Sequence, residues 1–193
     1  MLISVSQQRN ADEVNGMIAQ IIMYGVIIGI FYALVAVGLS LLFGVMKYMN
    51  IAHGSFVVIG GYISFWLFNL LGIDPFLSIP FVLVIMFVIG LIVYGLVFSP
   101  LKRFAEGQRL GNSMLITFGL ILVLDNLVAF LWTSDVKTIT APYSGQVIQL
   151  LGIRVPFTSL GVIGVTFAII GILHLFLSRT YIGQSIKATA QDW

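Results

Sequence analysis

Long stretches with almost no charged side chains alternate with short polar connections along most of this chain. Charged residues are absent from 16–46, 48–73, 75–101 and 155–178, and the stretch 110–134 contains only Asp125. A helix needs about 20 apolar residues to cross a hydrocarbon core about 30 Å thick, so each stretch is long enough to span a bilayer. The pattern predicts one all-α domain over 1–193, a polytopic transmembrane helix bundle of about five spans. We place these spans near 17–46, 51–71, 76–98, 112–132 and 156–177.

The first apolar stretch is too long to be a simple span. As one straight helix, 16–46 would measure about 46 Å, which exceeds the hydrocarbon core. We therefore expect it to tilt, to protrude or to break into two segments. Two basic segments, around Lys102 and around Arg179, are separated by two spans, and the positive-inside rule places both in the cytoplasm. The N-terminus then lies outside if 16–46 crosses once, which we favour, and inside if it crosses twice.

Two connections have recognisable local signals. In Gly72-Ile73-Asp74-Pro75, a turn is followed by a proline that can begin the next helix. The loop 133–155, expected outside, contains QVIQLLGIRVP, whose β-prone residues around Leu151-Gly152 predict a short hairpin.

Composition excludes several classes of protein. Hydrophobic residues make up 60% of the chain and charged residues only 8%, against about 25% charged in a typical soluble domain. The net charge of +2 gives no reason to expect nucleic-acid binding, and without cysteine there is no disulfide or thiolate metal site. Because no P-loop, HExxH or GxSxG motif occurs, we assign no catalytic residue, no metal ligand and no cofactor. The chain is not expected to be an enzyme.

The first span contains a stripe of small residues spaced three or four apart, which places them on one helical face. Small residues let transmembrane helices approach closely, so the stripe indicates helix packing within the chain, a second subunit or the wall of a pathway. The members of this small-residue stripe are Gly25, Gly29, Ala33, Ala36, Ser40 and Gly44.

Polar side chains cluster where the second span begins, in the sequence Asn50-Ile51-Ala52-His53-Gly54-Ser55. In the structural interpretation, Asn50 caps the second helix and His53 bonds a neighbouring span. In the functional interpretation, this is a broken or re-entrant segment on a substrate path, since irregular backbone survives at membrane depth only where protein or water covers it. Asn50, His53, Gly54 and Ser55 are therefore candidate pathway residues.

Asp125, followed by Asn126, is the second candidate for the pathway. An ionisable residue within a span suggests a functional site. It could also be protonated, pair with a cation on another helix or lie nearer the outer interface.

Several motifs resemble the permease subunits of branched-chain amino acid ABC importers, the Liv-type family. They are GIFYALVAVGLSLLFGVMKYMNIAHGSFVVIGGY (29–62), SPLKR (99–103), LITFGLILVLDNL (115–127) and GQSIKATAQD (183–192). The resemblance covers most of the chain from about Gly16. Its most specific part is Asn50, Ala52, His53 and Gly54 followed by Gly61 and Tyr62.

The resemblance implies a multi-pass permease of a prokaryotic inner membrane that works with a second permease, two cytoplasmic ATPase subunits that bind ATP, and an external binding protein. It also implies that the tail begins a segment that contacts the ATPase, against the simpler interpretation of a solvated helix. The residues of this coupling segment are Gly183, Lys187, Ala188, Thr189, Ala190 and Asp192.

The sequence departs from the family pattern in places. The family commonly has an acidic-basic pair where Tyr94 and Gly95 stand here, and a cation at the position of Ser99. Relatives continue with further spans, so we expect the chain to be the N-terminal two-thirds or so of a permease.

Alternatives stay open at this point. A secondary transporter or channel could use Asp125 and His53 as a proton or ion relay, and a truncated remnant would not transport at all. The residues do not distinguish branched-chain amino acids from urea or short amides as the substrate.

Overall fold

The computed structural model describes residues 2–133, 135–150 and 153–191, and almost all of its regular structure is helical. The elements are α1 (Leu2–Met46), α2 (His53–Leu71), α3 (Pro75–Val93), α4 (Glu106–Trp132), β1 (Val147–Leu150), β2 (Ile153–Pro156), α5 (Phe157–Arg179) and α6 (Tyr181–Gln191). Five helices among these residues are long and apolar enough to cross a membrane. This confirms the expectation of a polytopic all-α protein.

The long first stretch forms one helix without a break, from Leu2 to Met46. Its apolar part, Val14–Met46, is longer than any other candidate span. Of the possibilities left open by the sequence, a break into two segments is therefore absent, and tilting or protrusion remains.

The contacts divide the chain into two compact units, of which the first comprises 1–37 and 142–185. In this unit, β1 and β2 pair antiparallel with Leu150 opposite Ile153, which confirms the hairpin. Residues 151 and 152 lie outside the described residues. Gln20 of α1 holds the second strand through two hydrogen bonds. Its Nε2 donates to the carbonyl oxygen of Arg154 at 2.7 Å, and its Oε1 accepts from the Arg154 backbone N–H at 2.9 Å.

The second unit comprises 38–141 and 186–193 and contains α2, α3 and α4. The turn from α2 to α3 forms as the sequence predicts. Gly72 ends α2 with φ of 66°, a conformation that glycine adopts without a steric penalty. Asp74 caps α3 by accepting the Phe76 N–H at 2.9 Å, and Pro75 is the first residue of the helix.

A small apolar core lies where α3 continues into a π-helical turn (Tyr94–Phe98) and a 3-10 turn (Ser99–Arg103). Leu101 is fully buried, and the rings of Tyr48 and Phe98 stack with centroids 5.9 Å apart. Nearby, the Lys102 ammonium lies 5.4 Å from the centroid of the Tyr94 ring. Tyr94, one of the residues that depart from the family pattern, therefore gives this lysine an aromatic partner.

Candidate functional site

The connection between α1 and α2 is irregular backbone, and we call residues 47–52 the linker. It begins at Lys47, whose φ of 55° lies in the left-handed region and ends the helix. Tyr48, Asn50 and Ala52 are buried, whereas Met49 and Ile51 are exposed. Thus α1 and α2 do not form one continuous helix. They are joined by a short segment with one buried side.

Two hydroxyl groups of α4 bind the backbone of the linker. Ser113 Oγ accepts the Met49 N–H at 3.1 Å, and Thr117 Oγ1 accepts the Ile51 N–H at 3.2 Å. Both side chains are fully buried, and each donates its own proton to a carbonyl of α4, Ser113 to Leu110 and Thr117 to Ser113. The hydroxyls therefore satisfy two backbone donors of the irregular segment, which would otherwise be costly to bury.

The contacts between α2 and α4 show that the two helices run parallel and in register. Ser55 Oγ donates to Asp125 Oδ1 at 2.8 Å. Seven residues further along each helix, the rings of Tyr62 and Trp132 stack with centroids 5.2 Å apart. The linker pairs with Ser113 and Thr117, about 10 and 16 Å from the start of α4 at 1.5 Å per residue. The irregular backbone thus lies beside the interior of the apolar helix Gly107–Trp132 and not at its end.

Of the pathway candidates, the structure brings Ser55 and Asp125 into contact. Asn126, by contrast, donates from Nδ2 to the carbonyl of Leu122 on its own helix at 2.7 Å. In the described part of the chain, no hydrogen bond joins Asp125 to His53, as a two-residue relay would require. Among the described residues, the partner of Asp125 is a hydroxyl group and not a cation.

His53 lies against α1 at Gly38, where an added Cβ would be 3.4 Å from Cε1 of the imidazole. Its backbone N–H donates to the carbonyl of Asn50 at 3.3 Å.

The Asn50 side chain is 4% exposed, and its Oδ1 has no hydrogen-bond partner among the described residues. Ala52, and not Asn50, occupies the cap position of α2, without a side-chain capping bond. The proposed capping role of Asn50 is therefore wrong, and a buried polar atom is left unused. Gly54 is exposed, and an added Cβ there would meet nothing within 4 Å.

The small-residue stripe of α1 is mostly exposed. An added Cβ at Gly25 or Gly29 would meet nothing within 4 Å, and Ala33, Ala36 and Ser40 are also exposed. At Gly44 an added Cβ would lie 3.9 Å from the Cβ of Ala190. Of the three glycines in the stripe, Gly44 alone would have a neighbour within 4 Å among the described residues.

The coupling-segment residues 183–190 lie on α6, which follows α5 after a sharp bend at Thr180. Thr180 Oγ1 donates to the Phe176 carbonyl at 2.6 Å and accepts the Gly183 N–H at 3.0 Å. A Cβ on Gly183 would overlap the Phe176 carbonyl oxygen and lie 2.6 Å from the Cα of Leu177. Lys187, Ala188 and Thr189 are exposed and Ala190 is half-buried, while Asp192 lies outside the described residues.

Sequence reasoning missed Ser113, Thr117 and Tyr48. The signal for the first two was present, because two hydroxyl residues four apart share one face of a helix that is otherwise apolar there. In the part of the chain that the structure describes, no group of three or more His, Cys, Asp or Glu side chains could hold a metal ion.

Comparison with known proteins adds two findings. Residues 21–193 match the family described as branched-chain amino acid transport system / permease component. No solved structure matches the chain.

The relatives are 28–29% identical to this chain over the aligned residues. The high-affinity branched-chain amino acid transport system permease protein BraD of Pseudomonas aeruginosa is 28% identical over 90% of this chain and 59% of its own length. The probable branched-chain amino acid transport permease protein LivH of Methanocaldococcus jannaschii is 29% identical over 82% of this chain and 50% of its own. LivH of Escherichia coli K12 is 28% identical, over 87% and 57% respectively. The chain thus spans between half and three-fifths of the length of these relatives.

Proposed function

Because the chain belongs to the branched-chain amino acid transport permease family, we propose that it forms part of the membrane pathway of an ABC importer for branched-chain amino acids. The observation that carries the proposal is the position of the linker, irregular backbone held by Ser113 and Thr117 beside the interior of an apolar helix. In transporters, breaks of this kind are where substrates meet backbone and polar side chains near the bilayer midplane.

The residues around the linker suit a small amphipathic solute. Asn50 supplies a side-chain carbonyl oxygen that has no partner among the described residues, and Asp125 supplies a carboxylate with one oxygen bonded to Ser55. Both groups can accept hydrogen bonds from an ammonium group, which every amino acid carries. His53, Gly54 and Asn126 remain pathway candidates on the same two helices.

The remaining subunits of the importer follow from the family and are part of the proposal. ATP would be bound by two cytoplasmic ATPase subunits, a second permease subunit would complete the pathway, and an external binding protein would deliver the solute. The chain itself would be neither an enzyme nor a cofactor carrier, and it would lie in a prokaryotic inner membrane. With α1 crossing once, the N-terminus and the hairpin lie outside and α6 lies in the cytoplasm. There the exposed Lys187, Ala188 and Thr189 can meet an ATPase, together with Ala190 and Asp192.

Uptake into proteoliposomes tests the proposal, using the full-length gene product with its partner subunits. We expect uptake of L-leucine that requires ATP on the ATPase side and persists when proton and sodium gradients are collapsed. Uptake driven by such a gradient without ATP would contradict the proposal and favour a secondary transporter.

Asp125→Asn tests the pathway assignment. It removes the charge but keeps the shape, and we expect uptake to fall by about tenfold, the loss of roughly one charge-assisted hydrogen bond. Gly119→Ala is the control on the same helix, because an added Cβ there would meet nothing within 4 Å, and it should leave uptake nearly unchanged. Equal uptake by the Asp125→Asn variant and the wild type would remove Asp125 from the pathway.

A further inference from the structure

A cleft of about 450 Å³ lies between α2 and the segment that follows α4, within the second unit. From α2 it is lined by Val58, Gly61, Tyr62 and Phe65, whose spacing places them on one helical face. The opposite wall consists of Lys137, Thr138 and Ile139. The volume falls within the range of about 300–1,000 Å³ that is typical of small-molecule sites.

The walls of this cleft combine apolar side chains with a lysine. Val58, Phe65 and Ile139 supply apolar surface, and Tyr62 is fixed by its stacking on Trp132. Lys137 is the one charged residue among the described residues of the lining. The carboxylate of Asp135 lies 3.9 Å from its ammonium group and is 77% exposed, and so loose a pair contributes little. The ammonium group therefore retains the capacity to bind another anion.

A neighbouring groove on α2 provides a contrast. It is lined by Ile63, Trp66, Leu67, Leu70, Leu71, Leu131 and Trp132, with no charged residue. Such a surface suits acyl chains or another helix, whereas the cleft at Lys137 combines apolar walls with a single cation. Lys137 therefore favours a compact apolar solute with one negative group over a lipid tail.

We propose that this cleft is a binding site for the carboxylate end of a small amino acid with an aliphatic side chain, occupied on the outer side before the solute reaches the linker. Lys137 binds the carboxylate, and Val58, Phe65 and Ile139 contact the side chain. Gly61 leaves room for the solute, since an added Cβ there would meet nothing within 4 Å. The site deepens the proposed function and rests on it for the direction of transport.

Site-directed labelling can detect occupancy without transport, because the sequence contains no native cysteine. Gly61→Cys places a thiol in the cleft. Gly60→Cys is the matched control on the adjacent residue, since a side chain there would face α3, 3.7 Å from Val82. The assembled transporter in proteoliposomes, without ATP, is treated from outside with a membrane-impermeant thiosulfonate. The initial labelling rate at position 61 is normalised to the rate without solute.

We expect L-leucine and 4-methylpentanoate to slow labelling of Gly61→Cys, and L-leucinamide, which lacks the carboxylate, to have little effect. In the double variant Gly61→Cys with Lys137→Gln, the leucine concentration that gives half-maximal protection should rise by about tenfold or more. This is the effect expected from the loss of one charge-assisted hydrogen bond. Lys137→Arg should preserve protection. Gly60→Cys should be labelled slowly and show no protection by solute.

Four outcomes would overturn the inference. The first is that leucine does not protect the thiol, and the second is that leucinamide protects it as well as leucine does. The third is that the thiol is labelled only from the inside. The fourth is that the thiol reacts only after lipid is removed, which would make a lipid headgroup the occupant. Protection without ATP-dependent uptake would contradict the proposed function but leave the site. Uptake without protection would contradict the site alone.

Discussion

The middle of α1 and the pair formed by α2 and α4 both contain small residues but use them differently. In α1, an added Cβ at Gly25 or Gly29 would meet nothing within 4 Å. In the α2–α4 pair, Ser55 contacts Asp125 and the hydroxyls of Ser113 and Thr117 are fully used. Small residues thus contact neighbours in one region and leave a helix face open in the other. Small residues in a membrane span therefore show where close approach is possible, and only the contacts show whether it occurs within the chain.

Gly183→Ala gives the largest expected effect, because Gly183 has the closest neighbouring atoms among the described glycines that were compared. Gly183→Ala would force Cβ into the backbone of Phe176 and Leu177. Since backbone cannot move aside cheaply, we expect about 3 kcal/mol or more of destabilisation at the α5–α6 bend, and loss of most ATP-dependent uptake. Thermal unfolding of the purified protein and uptake into proteoliposomes measure the two effects.

Gly171→Ala on α5 is the control, because an added Cβ there meets nothing within 4 Å. It should be neutral or slightly stabilising, as alanine favours a helix over glycine by about 0.5–1 kcal/mol. If Gly183→Ala behaved like Gly171→Ala, the bend at Thr180 would not have the geometry described here.

Thr117→Val gives the next largest effect. The valine keeps the shape of the side chain but removes the acceptor for the Ile51 N–H. A buried donor without a partner costs about 1–3 kcal/mol, so the unfolding temperature should fall measurably. Thr117→Ser keeps the hydroxyl and should retain most of the stability. A larger loss for Thr117→Ser than for Thr117→Val would mean that the methyl packing matters more than the bond to the linker.

Gly25→Ala gives the smallest effect on this chain, with the opposite sign. Because nothing lies near the added Cβ, we expect a stabilisation of up to about 1 kcal/mol from helix propensity. Gly25→Leu in the full-length protein asks whether the open stripe meets another segment or subunit. Normal unfolding of the chain with reduced recovery of the assembled complex would show that it does, while unchanged assembly would mean that this face contacts lipid.

The sequence was sufficient for much of the fold, because apolar runs and breakers are local signals. The charge-free runs predicted five spans, Pro75 the start of α3, and the β-prone stretch near Leu151 the hairpin. The unbroken course of α1 was not predictable, since length alone permits a tilted helix or two shorter ones.

The candidate site was less predictable, because its geometry depends on register between helices distant in sequence. Asp125 stood out as a charge in an apolar run, but nothing near it in sequence pointed to Ser55. Asn50 was expected to cap α2, and it is instead buried with an unpartnered oxygen. Ser113 and Thr117 could have been noticed from their spacing. That spacing does not reveal that their hydroxyl oxygens accept hydrogen bonds from the backbone of the linker.

Cross-linking tests most directly the central claim, that the linker lies beside the interior of α4. In a sequence without native cysteine, Ser55→Cys can be paired with Asp125→Cys, and Tyr62→Cys with Trp132→Cys. The register predicts that a short thiol-specific linker joins both pairs in membranes, and that Ser55→Cys does not join Gly111→Cys near the start of α4. Cross-linking of position 55 to position 111, with none to position 125, would place the linker at the end of α4 and contradict the account.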